Sequence, residues 1–285
     1  LDLLESLCDN SLLQRERPPQ GGARYRPLVS VRDFAGLQLA PADGVGAKQR
    51  HVAHFAHFGT PACLDGLNLA SGVDLCKTMV RELDNLVCAS AWAIEVGNPE
   101  AAILPAIGAG TVLLRQGPAS AGEALLTTVL AVVDVGGSAH AVSLWTLMGE
   151  LQRELGQPER AEASLQRARS LARAQDDRHA EAHVIIGLGV LALGQGALAK
   201  SLEHFEEALA GYRDQRDRDG EGVALSRIGY VCGQLGPADR ALSCCVEALS
   251  IHREVGNQRA AGQTLRNLGI LQQQILVVRV GAVDG

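Results

Sequence analysis

The sequence predicts an all-α fold, a right-handed superhelix of stacked antiparallel helix pairs with a 40-residue period, preceded by a small segment that contains a β-hairpin. Three observations predict it. Gly149, Gly189, Gly229 and Gly269 stand forty residues apart, each directly after an apolar residue. Apolar residues make up 47% of the chain and aromatics only 3%, a balance that suits closely packed helices better than aromatic-rich strands. No apolar run approaches the roughly 20 residues that a membrane-spanning helix needs.

Taken in order, the chain reads as segments 1–40, 41–97, 98–276 and 277–285. In the first, "LDLLESLCDNSLLQRER" gives a short amphipathic helix running into an alternating stretch, and "GGARYRPLVSVRDFAGLQLA" gives a Gly-Gly turn, a second short strand and another helix. The second is a helical linker with the first helices, glycine-rich and irregular between Pro41 and Asp74. The third is the repeat array. An early unit places Gly110 in the glycine column with a one-residue slip, and Ala121 and Leu125 in the later columns. The last unit has only its first helix, up to about Gln274, and "ILVVRVGAVDG" reads as an irregular tail. A start at Leu1 rather than Met suggests a piece of a longer protein.

Six further columns accompany the glycines. Trp145, Ile185, Leu225 and Leu265 stand four residues before them, and Met148, Leu188, Ile228 and Leu268 one before. Behind them come Gly156, Gly196 and Gly236, then small Ala161, Ser201 and Ala241, bulky Leu165, Phe205 and Cys245, and small Ala168, Ala208 and Ala248. Apolar residues spaced three and four apart make one stripe on a helix, and a glycine inside the stripe lets a partner helix approach closely. The second glycine supplies a turn, and Pro118, Pro158 and Pro237 follow it where a first-turn proline loses no intrahelical hydrogen bond. A single pair cannot cover its own stripe, so successive pairs stack and wind into a superhelix with a concave face.

The motif "LWTLMGELQRELGQPERAEASLQRA" resembles the tetratricopeptide repeat at Trp145, Met148, Gly149, Gly156, Ala161, Leu165 and Ala168. The period exceeds that family's usual ~34 residues; longer second helices or longer links would both explain the excess. The segments "DNSLLQRE", "RYRPLVSVRDFA", "RHVAHF" and "ELDNLVCASAWAIEVGN" resemble the winged-helix end and linker that precede the repeats in bacterial signal-transducing ATPases of the STAND class. The resemblance implies a winged-helix remnant over 1–40, a nucleotide-binding domain upstream, and repeats that sense a partner. No G-x-x-x-x-G-K-[ST] phosphate loop occurs in this chain, so ATP hydrolysis is not assigned to it.

Composition narrows the function further. A net charge of −6 with interleaved signs provides no basic field, which disfavours nucleic acid for this chain alone, and membranes likewise. Seven irregularly spaced cysteines argue for a reducing compartment, the cytoplasm. His51, His54 and His57, or His179 and His183, share helix faces but lack the carboxylate of a metalloprotease motif, so solvent-facing or packing roles are expected and no metal or other cofactor is assigned. Adjacent Cys244 and Cys245 point about 100° apart, Cys245 into the core. The Asp214–Asp219 stretch reads as a solvated link, and Glu82 and Asp84 as structural. No nucleophile, base and orienting acid stand together, so no catalytic residue is named.

What remains is a groove. If the first helix of each pair lines the concave face, it presents Thr146, Glu150 and Arg153, then His183, Ile186 and Val190, then Ser226, Tyr230 and Gln234, and lastly Arg266 and Ile270. That half-apolar set suits an amphipathic helix or extended peptide of a protein partner, against the alternative that these are merely exposed helix residues. The expected function is a non-enzymatic interaction and sensing module of a regulator. The competing reading is DNA binding through the winged-helix segment, against which Leu1–Leu7 is rich in Leu, Asp and Glu where a reading helix would carry Arg, Lys, Asn or Gln.

Overall fold

A computed structural model describes residues 2–16, 23–38, 40–133, 138–236 and 238–281. The chain divides into two compact units, Leu1–Arg50 and His51–Gly285.

In the first unit, helix α1 (Asp2–Asp9) leads into strand β1 (Leu13–Glu16), which pairs antiparallel with β2 (Arg24–Pro27) before helix α2 (Val29–Gln38). The register sets Arg15 opposite Tyr25 and Glu16 opposite Arg24, so the expected hairpin is present. Its expected Gly21-Gly22 turn lies outside the described residues. Helix α3 (Pro41–Ala56) then crosses the division at Arg50. The stretch read as irregular is therefore largely helical: α3 tolerates Gly44 and Gly46, and beyond a 3-10 turn at His57–Gly59 comes α4 (Pro61–Gly66). Thr60 starts α4 by accepting from the Cys63 amide, with Pro61 at the first helical position where its missing N–H costs nothing.

The second unit continues with α5 (Gly72–Arg81), α6 (Leu83–Glu95), a 3-10 turn at Pro99–Ala102, α7 (Ile103–Gln116) and α8 (Ala119–Leu130). Then follow α9 (Ala141–Glu154), α10 (Pro158–Ala174), α11 (Arg178–Gly194), α12 (Leu198–Asp214), α13 (Arg218–Leu235), α14 (Ala238–Val255) and α15 (Gln258–Gly281). Sequential helices pack against each other, and α7, α9, α11, α13 and α15 also touch in succession as the first helices of their pairs. The long period belongs to the helices rather than the links: α11 and α12 have 17 residues each and α13 and α14 have 18 each. Helix α15 extends to Gly281, past Gln274, because no proline or glycine interrupts Ile275–Val280.

The glycine column is the crossing point. A Cβ on Gly149 would stand 2.7 Å from Leu165 Cγ, one on Gly189 2.5 Å from Phe205 Cε1, and one on Gly229 2.4 Å from Cys245 Sγ. Each bulky partner is fully buried, as are Ala161, Ser201 and Ala241 beside it. The early unit obeys the same rule with its columns displaced. Gly122 and Leu126 are the buried pair there, not Ala121 and Leu125, because the one-residue slip at Gly110 carries through its second helix.

Turns and caps repeat as well. Gly156, Gly196 and Gly236 adopt φ of 69°, 75° and 113°, a left-handed conformation that glycine takes without a Cβ penalty. The opposite turn places Asp176 and Arg216 at φ of 52° and 58°. Next to these, Asp177, Asp217 and Asn257 cap α11, α13 and α15 by accepting from the amides of Ala180, Gly220 and Ala260 at 2.9, 3.0 and 3.0 Å. The Asp214–Asp219 stretch is thus a helix boundary with defined partners rather than a solvated link.

Candidate partner-binding site

The first helices of successive pairs, together with α5 and the start of α15, surround a cavity of about 670 Å³. Its apolar wall includes Leu114, Leu147, Ile186, Val190 and Val223, and its charged wall Arg115, Glu150, Arg153, Glu154, Arg227 and Arg259. The backbone amide of Arg259 also donates to the carbonyl of Asn68 at 3.5 Å, so the segment between α4 and α5 meets the last half-repeat.

Five of the residues nominated from sequence meet here: Glu150, Arg153, His183, Ile186 and Val190. The others do not line this cavity. Thr146 is buried and its hydroxyl donates to the Val142 carbonyl at 2.7 Å. Ser226 is buried too, accepting from Thr264 Oγ1 at 2.8 Å across the boundary between successive repeats. Tyr230 is partly buried against the core, and Gln234, Arg266 and Ile270 are exposed elsewhere on their helices. The shift has a helical cause. Three before the column glycine, Thr146 and Ser226 turn into the packing while Ile186 in the same column still reaches the cavity, and the positions two before it, Leu147, Gly187 and Arg227, all line the cavity, about 100° round the helix.

Electrostatics of this wall are uneven. Arg153 pairs with Glu154 at 2.5 Å. Arg115, Arg227 and Arg259 have no side-chain ion pair or hydrogen bond among the described residues. Burial lowers the pKa of Arg227, and Arg153 and Arg266 lower it further. Burial likewise lowers Arg115, with Arg259 adding to the effect.

The outer faces are the reverse, a ladder of satisfied pairs joining successive repeats. Glu221 lies between Arg213 at 2.7 Å and Arg218 at 2.5 Å; burial acts to raise its pKa, but those two hydrogen bonds outweigh it and the net shift is downward. Glu181 repeats the arrangement with Arg173 at 2.5 Å and Arg169 at 3.3 Å. Arg169 also bonds Glu207, Arg218 reaches Glu254 at 3.0 Å, and Lys200 reaches Glu162 at 3.1 Å.

Other residues that could carry chemistry are accounted for by packing. His51 donates from Nε2 to the Asn85 carbonyl at 3.2 Å and lies 4.7 Å from the Trp92 ring, while His57 Nδ1 donates to the His54 carbonyl at 2.6 Å. His179 meets Asp217 at 2.9 Å, a contact that raises the histidine pKa. All seven cysteines are free thiols, and burial pushes Cys245 up to about 11, with Cys244 adding to it. Among the described residues, no helix is long and apolar enough to cross a membrane, and no cluster of metal-ligating side chains occurs.

Comparison with known proteins agrees with this geometry. The tetratricopeptide repeat family model matches residues 140–214. Regulatory protein AfsR of Streptomyces coelicolor is 25% identical over 280 residues, which is 90% of this chain and 28% of AfsR. The fold is shared with a signal transduction ATPase with numerous domains from Pyrococcus horikoshii that has a tetratricopeptide repeat sensor. That match has a TM-score of 0.53 and 16% identity, and covers 95% of this chain and 43% of that one. A Rap protein complexed with competence and sporulation factor also shares it, at a TM-score of 0.56 and 12% identity, over 82% of this chain and 73% of that one. The helix pairs over residues 140–214 therefore match the tetratricopeptide repeat, and the chain is homologous to the AfsR regulators over a stretch that spans 28% of their length.

Proposed function

We propose that the chain is the non-catalytic sensing module of a signal-transducing regulator, and that a peptide or protein partner docks on the inner wall of its repeats. The observation that carries this reading is the cavity itself, in which separate repeats contribute to one surface that is half apolar and half charged. Ile186, Val190 and Val223 suit the apolar side of a short helix or extended segment, and Glu150 and Arg153 its polar flank. Tetratricopeptide repeats typically act as interaction modules, and a solved neighbour carries its repeats as a sensor on an ATPase. An upstream nucleotide-binding domain in the parent protein follows from the same reading.

The test uses paired variants on opposite faces. Val190→Asp places a charge in the cavity, and Val246→Asp places one on α14, where Val246 is 60% exposed. Partners captured by the wild-type chain are quantified by mass spectrometry against both variants. The reading expects a partner lost with Val190→Asp and kept with Val246→Asp. Equal recovery by both, with both folded by circular dichroism, overturns it.

A further inference from the structure

We propose that the inner cavity is a binding site for a small organic anion, a phosphoryl or dicarboxylate group on an apolar body, gripped by Arg115, Arg227 and Arg259. The inference does not depend on a protein partner using the same wall. Four guanidiniums, those three and Arg153, line the cavity against two carboxylates, Glu150 and Glu154, and the Arg153–Glu154 pair is already satisfied. Glu150 is thus the one lining carboxylate left for three arginines, which leaves an excess of two positive charges.

Such an arrangement is costly unless something neutralises it. Guanidiniums that share one wall repel, and Arg115 and Arg227, partly buried there with Arg259 at the exposed rim, carry uncompensated charge that is destabilising. On the outer ladder Arg169, Arg173, Arg213, Arg218 and Arg240 each contact a glutamate. The partly buried inner wall lacks such partners among the described residues on three separate helices, α7, α13 and α15. Planar guanidiniums match the oxygens of phosphate and carboxylate with two parallel hydrogen bonds. A phosphate monoester carries about −1.5 to −2 charges at pH 7, the complement of this excess. The volume, about 670 Å³, lies within the range of small-molecule sites. Leu114, Leu147, Ile186 and Val223 would cover an apolar body beside the anion.

Calorimetry on the full chain decides it, with phenyl phosphate and isophthalate as probes of equal aromatic body and sulfate as the inorganic control. At least one organic probe should bind more tightly than sulfate; the tighter of the two identifies phosphoryl or carboxylate as the natural group. Arg227→Gln and Arg115→Gln, on different helices so that one failure to fold leaves the other, should each weaken that binding at least tenfold. Arg240→Gln, on the outer ladder, should leave it unchanged. Without ligand, Arg227→Gln should melt above the wild type, because it removes a repelling charge; a merely structural arginine would lower the melting temperature when lost. Neither probe exceeding sulfate, or equal weakening by Arg240→Gln, overturns the proposal.

Discussion

The same sequence columns have two fates along the array. In two closed repeats the position four before the glycine is core, Ile185 at 4% exposure and Leu225 at 3%, and Trp145 in the repeat before them is partly buried. In the last half-repeat, Leu265 occupies that column at 50% exposure. The glycines follow suit. Gly189 is pressed against the Phe205 ring, whereas a Cβ on Gly269 would meet nothing within 4 Å. The difference teaches that the column is a property of the pair. Its residues are core where a second helix returns over them, and α15 has none among the described residues.

The largest contrast should come from truncating the two leucines. Leu225→Ala removes a buried side chain and should cost about 2–5 kcal/mol. Leu265→Ala should stay within about 0.5 kcal/mol. Thermal and urea unfolding of the two variants measures the gap, and near-equal losses would break the contrast. Next come the glycines. Gly189→Ala forces a methyl into the Phe205 ring and should cost about 1–3 kcal/mol, while Gly269→Ala should gain roughly 0.5–1 kcal/mol through helix propensity. Opposite signs of the change in melting temperature are the expected result.

A smaller effect should appear in pH dependence. His252 is fully buried on α14, its ring nitrogens lack hydrogen-bond partners, and burial lowers its pKa despite Asp219 at 3.9 Å. The unfolded state then binds a proton first as pH falls, so stability should decline below about pH 6.5. His179 runs the other way: its raised pKa gives stability that is present at low pH and lost as pH rises through the folded value. Melting curves from pH 5 to 8 should show a weaker acid decline in His252→Phe and a steeper one in His179→Ala.

Much of this architecture was legible in the residues. Gly149, Gly189 and Gly229 and their partners Leu165, Phe205 and Cys245 could be paired from spacing alone, because a close helix crossing admits few residue types. The caps Asp177, Asp217 and Asn257 form a column too, obscured by the charged residues around Asp217. The site was harder to read. Spacing places Ile186 and Val190 on the inner wall, but in the next repeat the same spacing points to Ser226, a repeat-to-repeat contact, and the residue that lines the cavity is its neighbour Arg227. The arginine group left no periodic signal. Arg115 stands five after its column glycine, Arg153 four after, Arg227 two before and Arg259 ten before, so only superhelical winding brings them together.

The central functional claim is that recognition takes place on the inner wall, and site-specific photocrosslinking tests it most directly. A benzophenone side chain is installed at Val190 in the cavity or at Val246 on the outer face of α14, and cells expressing each variant are irradiated. The account predicts a discrete adduct from position 190 that position 246 does not give, diminished by Ile186→Asp in the same chain. Adducts from position 246 alone, or an identical set from both, would contradict it.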